Sequence, residues 1–466
     1  MGRDAAVLTP ACCALLLACC AFLPAGAPAP AERGIPAFPE AEGFGAMTPG
    51  GRGGRVLFVT NLNDAGPGSF REACMAKGPR IVIFRVGGLI TLQSPLQVTE
   101  PYLTIAGQTA PGDGVCLRSD VFYIAAHDVV VRFLRSRLGD LTRKEVDSIS
   151  IGTPSRNVVL DHCSASWSID ETLSPSGDIA NVTVEWCLIA ESLNHSVHSK
   201  GEHGYGSLVH ATGGLTLHHN LWAHHTERNP RLGDNGGPPF PTFDVRNNVM
   251  YDWGGMCSGL TDGDLKVNYV GNYIRPGPSS SKRKPIVMRQ MATERTRYYV
   301  GGNFVEGRLD LTADNTAMFE RVEYQGKKLF SLVSAPFDAA PVRTQSAKEA
   351  YEAVLESVGA TVPVRDAVDS RIIADVRNRT GRLIDSQKEV GGWPEYRSAA
   401  PPRDSDNDGV PDAWETAHGM NPRDPRDTNA VDPASGYTKL ELYLNDLAGS
   451  RAARAAGTKT ERRRWP

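Results

Sequence analysis

His218-His219-Asn220-Leu221-Trp222-Ala223-His224-His225-Thr226-Glu227-Arg228-Asn229-Pro230-Arg231 sets a strand corner at Asn220 a few residues ahead of an Arg-x-Pro-Arg cluster. Asn220 is one of a series. Cys163, Cys187, Asn248, Asn272 and Asn303 sit in similar strand-like segments, at intervals of 24 to 33 residues, each beside β-branched or aromatic residues. That interval suits a solenoid of stacked β coils, in which each coil buries its apolar face only against its neighbours. A small amide or thiol at each corner stacks on the corner below. The alternative is a β-sandwich, whose strands turn every 8–12 residues or so, too often for this spacing.

The motifs add up to a family likeness. Leu160-Asp161-His162, His218-His219-Asn220, Arg228-x-Pro230-Arg231 and Asn247-Asn248 together resemble the pectate lyases, a family of polysaccharide lyases. GSFREA from Gly68, IVIFRVGGLITL, LTIAGQTAPGDGV and VVVRFLRSR agree with it. The likeness covers residues 38–278 and is specific in the combination of motifs, not in any one of them. It implies an all-β fold, a right-handed parallel β-helix; the sequence beyond it reads as a small C-terminal helical and calcium-loop extension that resembles the calcium-binding modules of many secreted bacterial enzymes.

Composition bounds the rest. A net charge of −3 on 466 residues, with dispersed basic side chains, does not argue for nucleic acid. High Gly and Pro with modest charge read as a turn-rich β protein. Residues 1–29 read as a secretory signal: Arg3, an apolar run through Leu23, then Ala25, Gly26 and Ala27. That run is too short for a membrane span. Export to the medium or periplasm is expected, and Leu16-Leu17-Ala18-Cys19 leaves a lipoprotein anchor as the lesser alternative. Of nine cysteines, four lie in the leader, and the other five are scattered singly. No disulfide framework is indicated.

The expected organisation is a solenoid over residues 34–335, an extension and linker over 336–400, an EF-hand-like module over 404–447 and a disordered tail over 448–466. Ser346 to Gly359 has helical apolar spacing with Gly359 as its stop. Asp404-Ser-Asp406-Asn-Asp408-Gly-Val410-Pro-Asp412-Ala-Trp-Glu415 carries the calcium-loop pattern. Acids stand at positions one, three, five, nine and twelve, and Val410 at seven offers its carbonyl. Gly-Tyr-Thr-Lys-Leu-Glu-Leu after it reads as a short packed helix.

The resemblance also implies a chemistry: β-elimination from polygalacturonate with a catalytic calcium, which requires several carboxylates in one groove facing cations. Glu145 and Asp147, two apart on an expected strand, point to one face and match the family's first acidic pair. Asp170 and Glu171 fall near the second pair. Adjacent residues on a strand diverge, so both reach a metal only if 167–173 is a turn. Arg228 matches the catalytic base, although a guanidinium normally stays protonated far above neutrality. It acts as the base or stabilises the carbanion while water or hydroxide takes the proton. Lys200 and Arg231 match substrate-binding cations, and Gly233 stands where the family carries a third.

Eight histidines crowd 195–225, yet no HxH or HExxH frame marks a zinc centre. Asp161 reads as a corner-holding residue. A non-catalytic carbohydrate-binding β-helix and a β-helix glycoside hydrolase, the latter pairing Asp161 with Asp170, remain the alternatives. The partner expected is an acidic polysaccharide, and the state a monomer.

Overall fold

The structure, a computed structural model, describes residues 34–449 apart from Gly236, Met291 and the side chain of Leu260. The expected leader and the tail beyond 449 lie outside these residues. Three faces of parallel strands wind into a β-helix. The first face has eleven strands and the second nine, and the third is split into runs of four, two and three. Like stacks on like. Val129, Val158, Val182, Leu215, Phe243, Val267 and Tyr298 follow one another in register along the first face. All are buried, and each such side chain contributes about 1.5–3 kcal/mol over its exposed state.

From residue 127 to residue 305, each strand of the first face joins its successor on the second through a two-residue corner. The first corner residue takes a positive φ: Phe133 (55°), His162 (51°), Trp186 (53°), His219 (54°) and Asn247 (55°). Their rings stack outside, Phe133 on His162 at 4.9 Å and Trp186 on His219 at 4.3 Å. The second residue turns inward and builds a ladder. Asn220 Nδ2 donates to Asn248 Oδ1 (3.1 Å), Asn248 to Asn272 (3.0 Å) and Asn272 to Asn303 (2.9 Å). Each amide also donates to the strand end of the preceding coil, as Asn248 does to Leu217 O at 2.8 Å. Asn315, from a 3-10 turn, closes the ladder on Asn303 at 3.2 Å. Cys163 and Cys187 occupy the same corner earlier in the chain, buried and free.

The chain wraps its own solenoid at both ends. Residues 37–46 cover the first face, with Phe38 and Ala46 against Val130 and Val159. The helix Ala347–Ser357 is capped by a reciprocal Ser346–Glu349 pair, and Gly359 follows it at φ 84°. A second helix, Ala367–Asn378, lies in a stretch that reads as mixed and polar. Val368, Ile372, Ile373 and Val376 face inward from it, and both helices bury against the second face beside Trp167, Leu188 and Leu221. Arg137, fully buried, anchors the second helix through Asp366 (2.9 Å) and Asp369 (2.8 Å). The last helix, Lys439–Gly449, carries the fold past 448, where the tail was expected to begin.

Candidate active site

The candidate site stands on the third face, across successive coils. Asp170 N donates to Val146 O, Thr172 N to Gly206 O and Gly206 N to Glu227 O. Asp147, the Asp170–Glu171 pair, Tyr205 and Arg228 are thereby stacked side by side. Glu145 and Asp147 lie in the extended lead into the strand Ile149–Ile151 and not on it, a correction to the sequence reading.

Asp170 and Glu171 do not diverge. A bend over 169–170 brings both to the same place, and carboxylate oxygens of Asp147, Asp170 and Glu171 lie within 4.8 Å of one another. Glu145 does not join them. Ser199 N and Oγ hold its carboxylate at 2.8 Å each, so it tethers the loop that carries the exposed Lys200. Asp170 also accepts from His203 Nε2 at 2.7 Å, and His198 stacks on His203 at 3.8 Å. Oxygen and nitrogen atoms of Asp170, His198 and His203 form a second close group, which no spacing rule had marked.

Burial, with the neighbouring charge of Asp170, pushes the Asp147 carboxyl up to about 7, against hydrogen bonds from Ser150 and Ser174. An acid so disfavoured in its charged form fits a place meant for a cation. The three-carboxylate set, all oxygen donors, suits calcium.

Arg228 faces these acids. It pairs with Glu171, lies over the Tyr205 ring at 4.0 Å and has φ 65°. A left-handed conformation costs a non-glycine residue about 1–2 kcal/mol and persists where surrounding structure enforces it. Burial, then Arg231 and Arg289, lower its pKa to about 10 against the opposing pull of Asp170 and Asp147. Arg231 reaches Asp262 at 3.5 Å, and Arg289 meets the same oxygen at 2.5 Å. Arg289, Asp262, His203 and Tyr205 were not singled out as site residues.

Asp161 lies elsewhere. It is buried on the first face against Arg132 (2.7 Å) and His162, so it cannot partner Asp170 across a scissile bond.

The second acidic group also departs from the loop pattern. Asp404, Asp406 and Asp408 converge, and so do Asp408, Glu415 and Asp427. Asp412 is turned away: it accepts from Ser405 N and Oγ at 2.7 Å each and pairs with Arg403. Asp427, from outside the loop, stands in the group in its stead. Val410 is buried, and its N–H donates to Asp408 at 2.8 Å.

Among known proteins, the chain is 37% identical over 423 residues to a probable pectate lyase C of Aspergillus terreus, covering 89% of this chain and 94% of that one. It is 37% identical to a probable pectate lyase C of Emericella nidulans, covering 88% and 92%. These matches run well beyond residues 38–278, into the C-terminal segment. The crystal structure of Jun a 1, the major allergen from cedar pollen, shares the fold at 17% identity and a TM-score of 0.51, over 68% of this chain and 92% of that one. No family model matches the chain. Solenoid, site and relatives agree, and the chain belongs to the pectate lyase family.

Proposed function

We propose that this protein is an exported, calcium-dependent polysaccharide lyase that cleaves polygalacturonate, or a related uronate polymer, by β-elimination. One observation carries the reading: a half-buried arginine faces three convergent carboxylates, with Arg231 and Arg289 beside it. Elimination removes the C5 proton beside a uronate carboxylate and expels the C4 oxygen. Calcium, when bound by Asp147, Asp170 and Glu171, would neutralise the uronate charge that makes this proton inert.

The protein's own groups do the remainder. Arg231 and Arg289 are placed to receive neighbouring uronate carboxylates, and Lys200 is carried on the loop tethered by Glu145. With Asp147 and Asp170 neutralised, Arg228 loses the attractions that favour its charged form. Burial, Arg231 and Arg289 then act unopposed by those two acids, in the direction a base requires. Export rests on the leader over residues 1–29, and no helix among the described residues is long and apolar enough to cross a membrane.

The test is ultraviolet absorbance of the unsaturated uronate product from polygalacturonate, with and without chelator. Hydrolysis yields no such chromophore, and a binding protein yields no product. Absence of the chromophore under alkaline, calcium-replete conditions rejects the proposal.

A further inference from the structure

The acidic group at 404–427 is built for an ion. Six of its buried carboxylate oxygens have no hydrogen-bond donor: both of Asp406, both of Glu415, Oδ2 of Asp408 and Oδ1 of Asp427. Glu415 is 0% exposed and Asp408 3%. Buried anions without partners cost several kcal/mol each, and a folded chain retains such a set where a cation offsets the cost. Oxygen donors alone point to a hard cation of the calcium class. Burial and mutual repulsion push Glu415 up to about 8 and Asp408 to about 6.

The same residues touch the start of the solenoid. Arg85 donates to Asp404 at 2.7 Å and to Asn407 at 2.8 Å while lying over the Phe58 ring at 3.5 Å. Val410, Leu440, Tyr443 and Leu444 pack against Ile81, Ile83 and Ala106 on the outer side of the first face. Gly409, at φ 96°, lets the loop approach so closely that a Cβ there would lie 3.1 Å from Val56. Thr428, next to Asp427, reaches back to Asp408 O at 3.4 Å.

We propose that Asp404, Asp406, Asp408, Glu415 and Asp427 hold one calcium ion, which clasps the C-terminal segment onto the first coils of the solenoid. Asp427 takes the place of Asp412, and the site serves stability independently of the catalytic groove.

Two measurements on the full-length protein test this: melting temperature against added calcium, and terbium luminescence sensitised by Trp414, the neighbour of Glu415. The parent is expected to bind terbium and to melt higher with calcium. Glu415→Gln and Asp427→Asn are expected to weaken binding by more than about 100-fold, beyond the loss of an outer-shell partner, and to abolish the calcium-dependent rise. Asp412→Asn is expected to retain both signals, as is the active-site double variant Asp147→Asn/Asp170→Asn. Glu415→Gln relieves repulsion among these carboxylates, so its calcium-free melting temperature should equal or exceed the parent's. A lower value overturns the repulsion argument. Retention of both signals by Asp427→Asn, or their loss in the active-site variant, overturns the assignment.

Discussion

The imidazole of His210 occupies the space that a side chain at Gly233 would need: a Cβ there would come 2.3 Å from Nε2 and Cδ2 of the ring. The two residues face each other in register on neighbouring strands of the third face. A third basic residue in the Arg-x-Pro-Arg-x-Arg pattern would therefore have to displace the His210 ring. Gly233→Ala is expected to destabilise by about 1–3 kcal/mol, the range for overpacking, and His210→Gly in the same chain should recover most of that. Additive losses in chemical denaturation of the double variant would contradict the steric account.

Arg289 is a cation near the position that Gly233 leaves without one. It shares Asp262 with Arg231 and approaches from another coil. Arg289→Ala is expected to raise KM for polygalacturonate about tenfold, the scale of one charge-assisted contact, with kcat little changed. An unaltered KM would remove Arg289 from the substrate's path.

Arg228→Lys keeps the charge and loses the planar fork. Initial rates of product absorbance are expected to fall at least about 100-fold, as for loss of a positioned acid–base group. In the parent, kcat/KM should climb with pH above neutrality as the Arg228 guanidinium, whose pKa burial and its cationic neighbours lower, releases its proton. A profile that levels off near neutrality would leave the base role to water.

The acidic loop over residues 404–415 predicts an inverted pH dependence. Glu415 has its folded pKa raised from 4.5 to about 8, so between those values the folded state binds more protons than the unfolded one. Calcium-free stability must then fall as pH rises through that window, and be fully present below it. Saturating calcium should abolish the slope. Thermal melts from pH 4.5 to 8, with and without chelator, measure it directly.

Asn248→Asp tests the corner ladder. A carboxylate still accepts from Asn220 but cannot donate to Leu217 O or Asn272 Oδ1. Losing both donations and burying a carboxylate in their place should cost about 3 kcal/mol in urea denaturation, although the backbone N–H of residue 248 still donates to Asn272 Oδ1. A neutral substitution would mean that the ladder is decoration on an otherwise sufficient core.

The corners were legible because Asn220, Asn248, Asn272 and Asn303 recur beside β-branched runs at a coil's length. The third face was not. Its strands Leu173–Pro175, Leu208–Ala211 and Arg231–Asp234 have three or four residues each, mixed with Ser, Pro, His and Gly. Alternation cannot show in so short a span. The helix Ala367–Asn378 did carry a signal, the spacing of Val368, Ile372 and Val376, masked by its charged neighbours. Asp147, Asp170, Glu171, Arg228 and Arg231 could be named from motifs. Arg289, His203 and Asp427 could not, because stacking and chain return alone bring them to their sites. Glu145 matched its motif yet serves the Lys200 loop, a role its position in the chain does not encode.

The corner ladder has a direction. Its amides begin only at Asn220, while earlier coils turn on Leu134, Cys163 and Cys187, and the two sulfurs reach only backbone carbonyls, Cys163 to Val131 O at 3.7 Å and Cys187 to Glu185 O at 3.3 Å. Fraying from the amino-terminal end would thus meet no polar zipper for several coils. That is the end to which residues 404–449 return. The polypeptide stitches its finish over its start, so a cut in the Pro-rich stretch 394–403, which leads from the helical extension into the acidic loop, would be felt first some three hundred residues upstream.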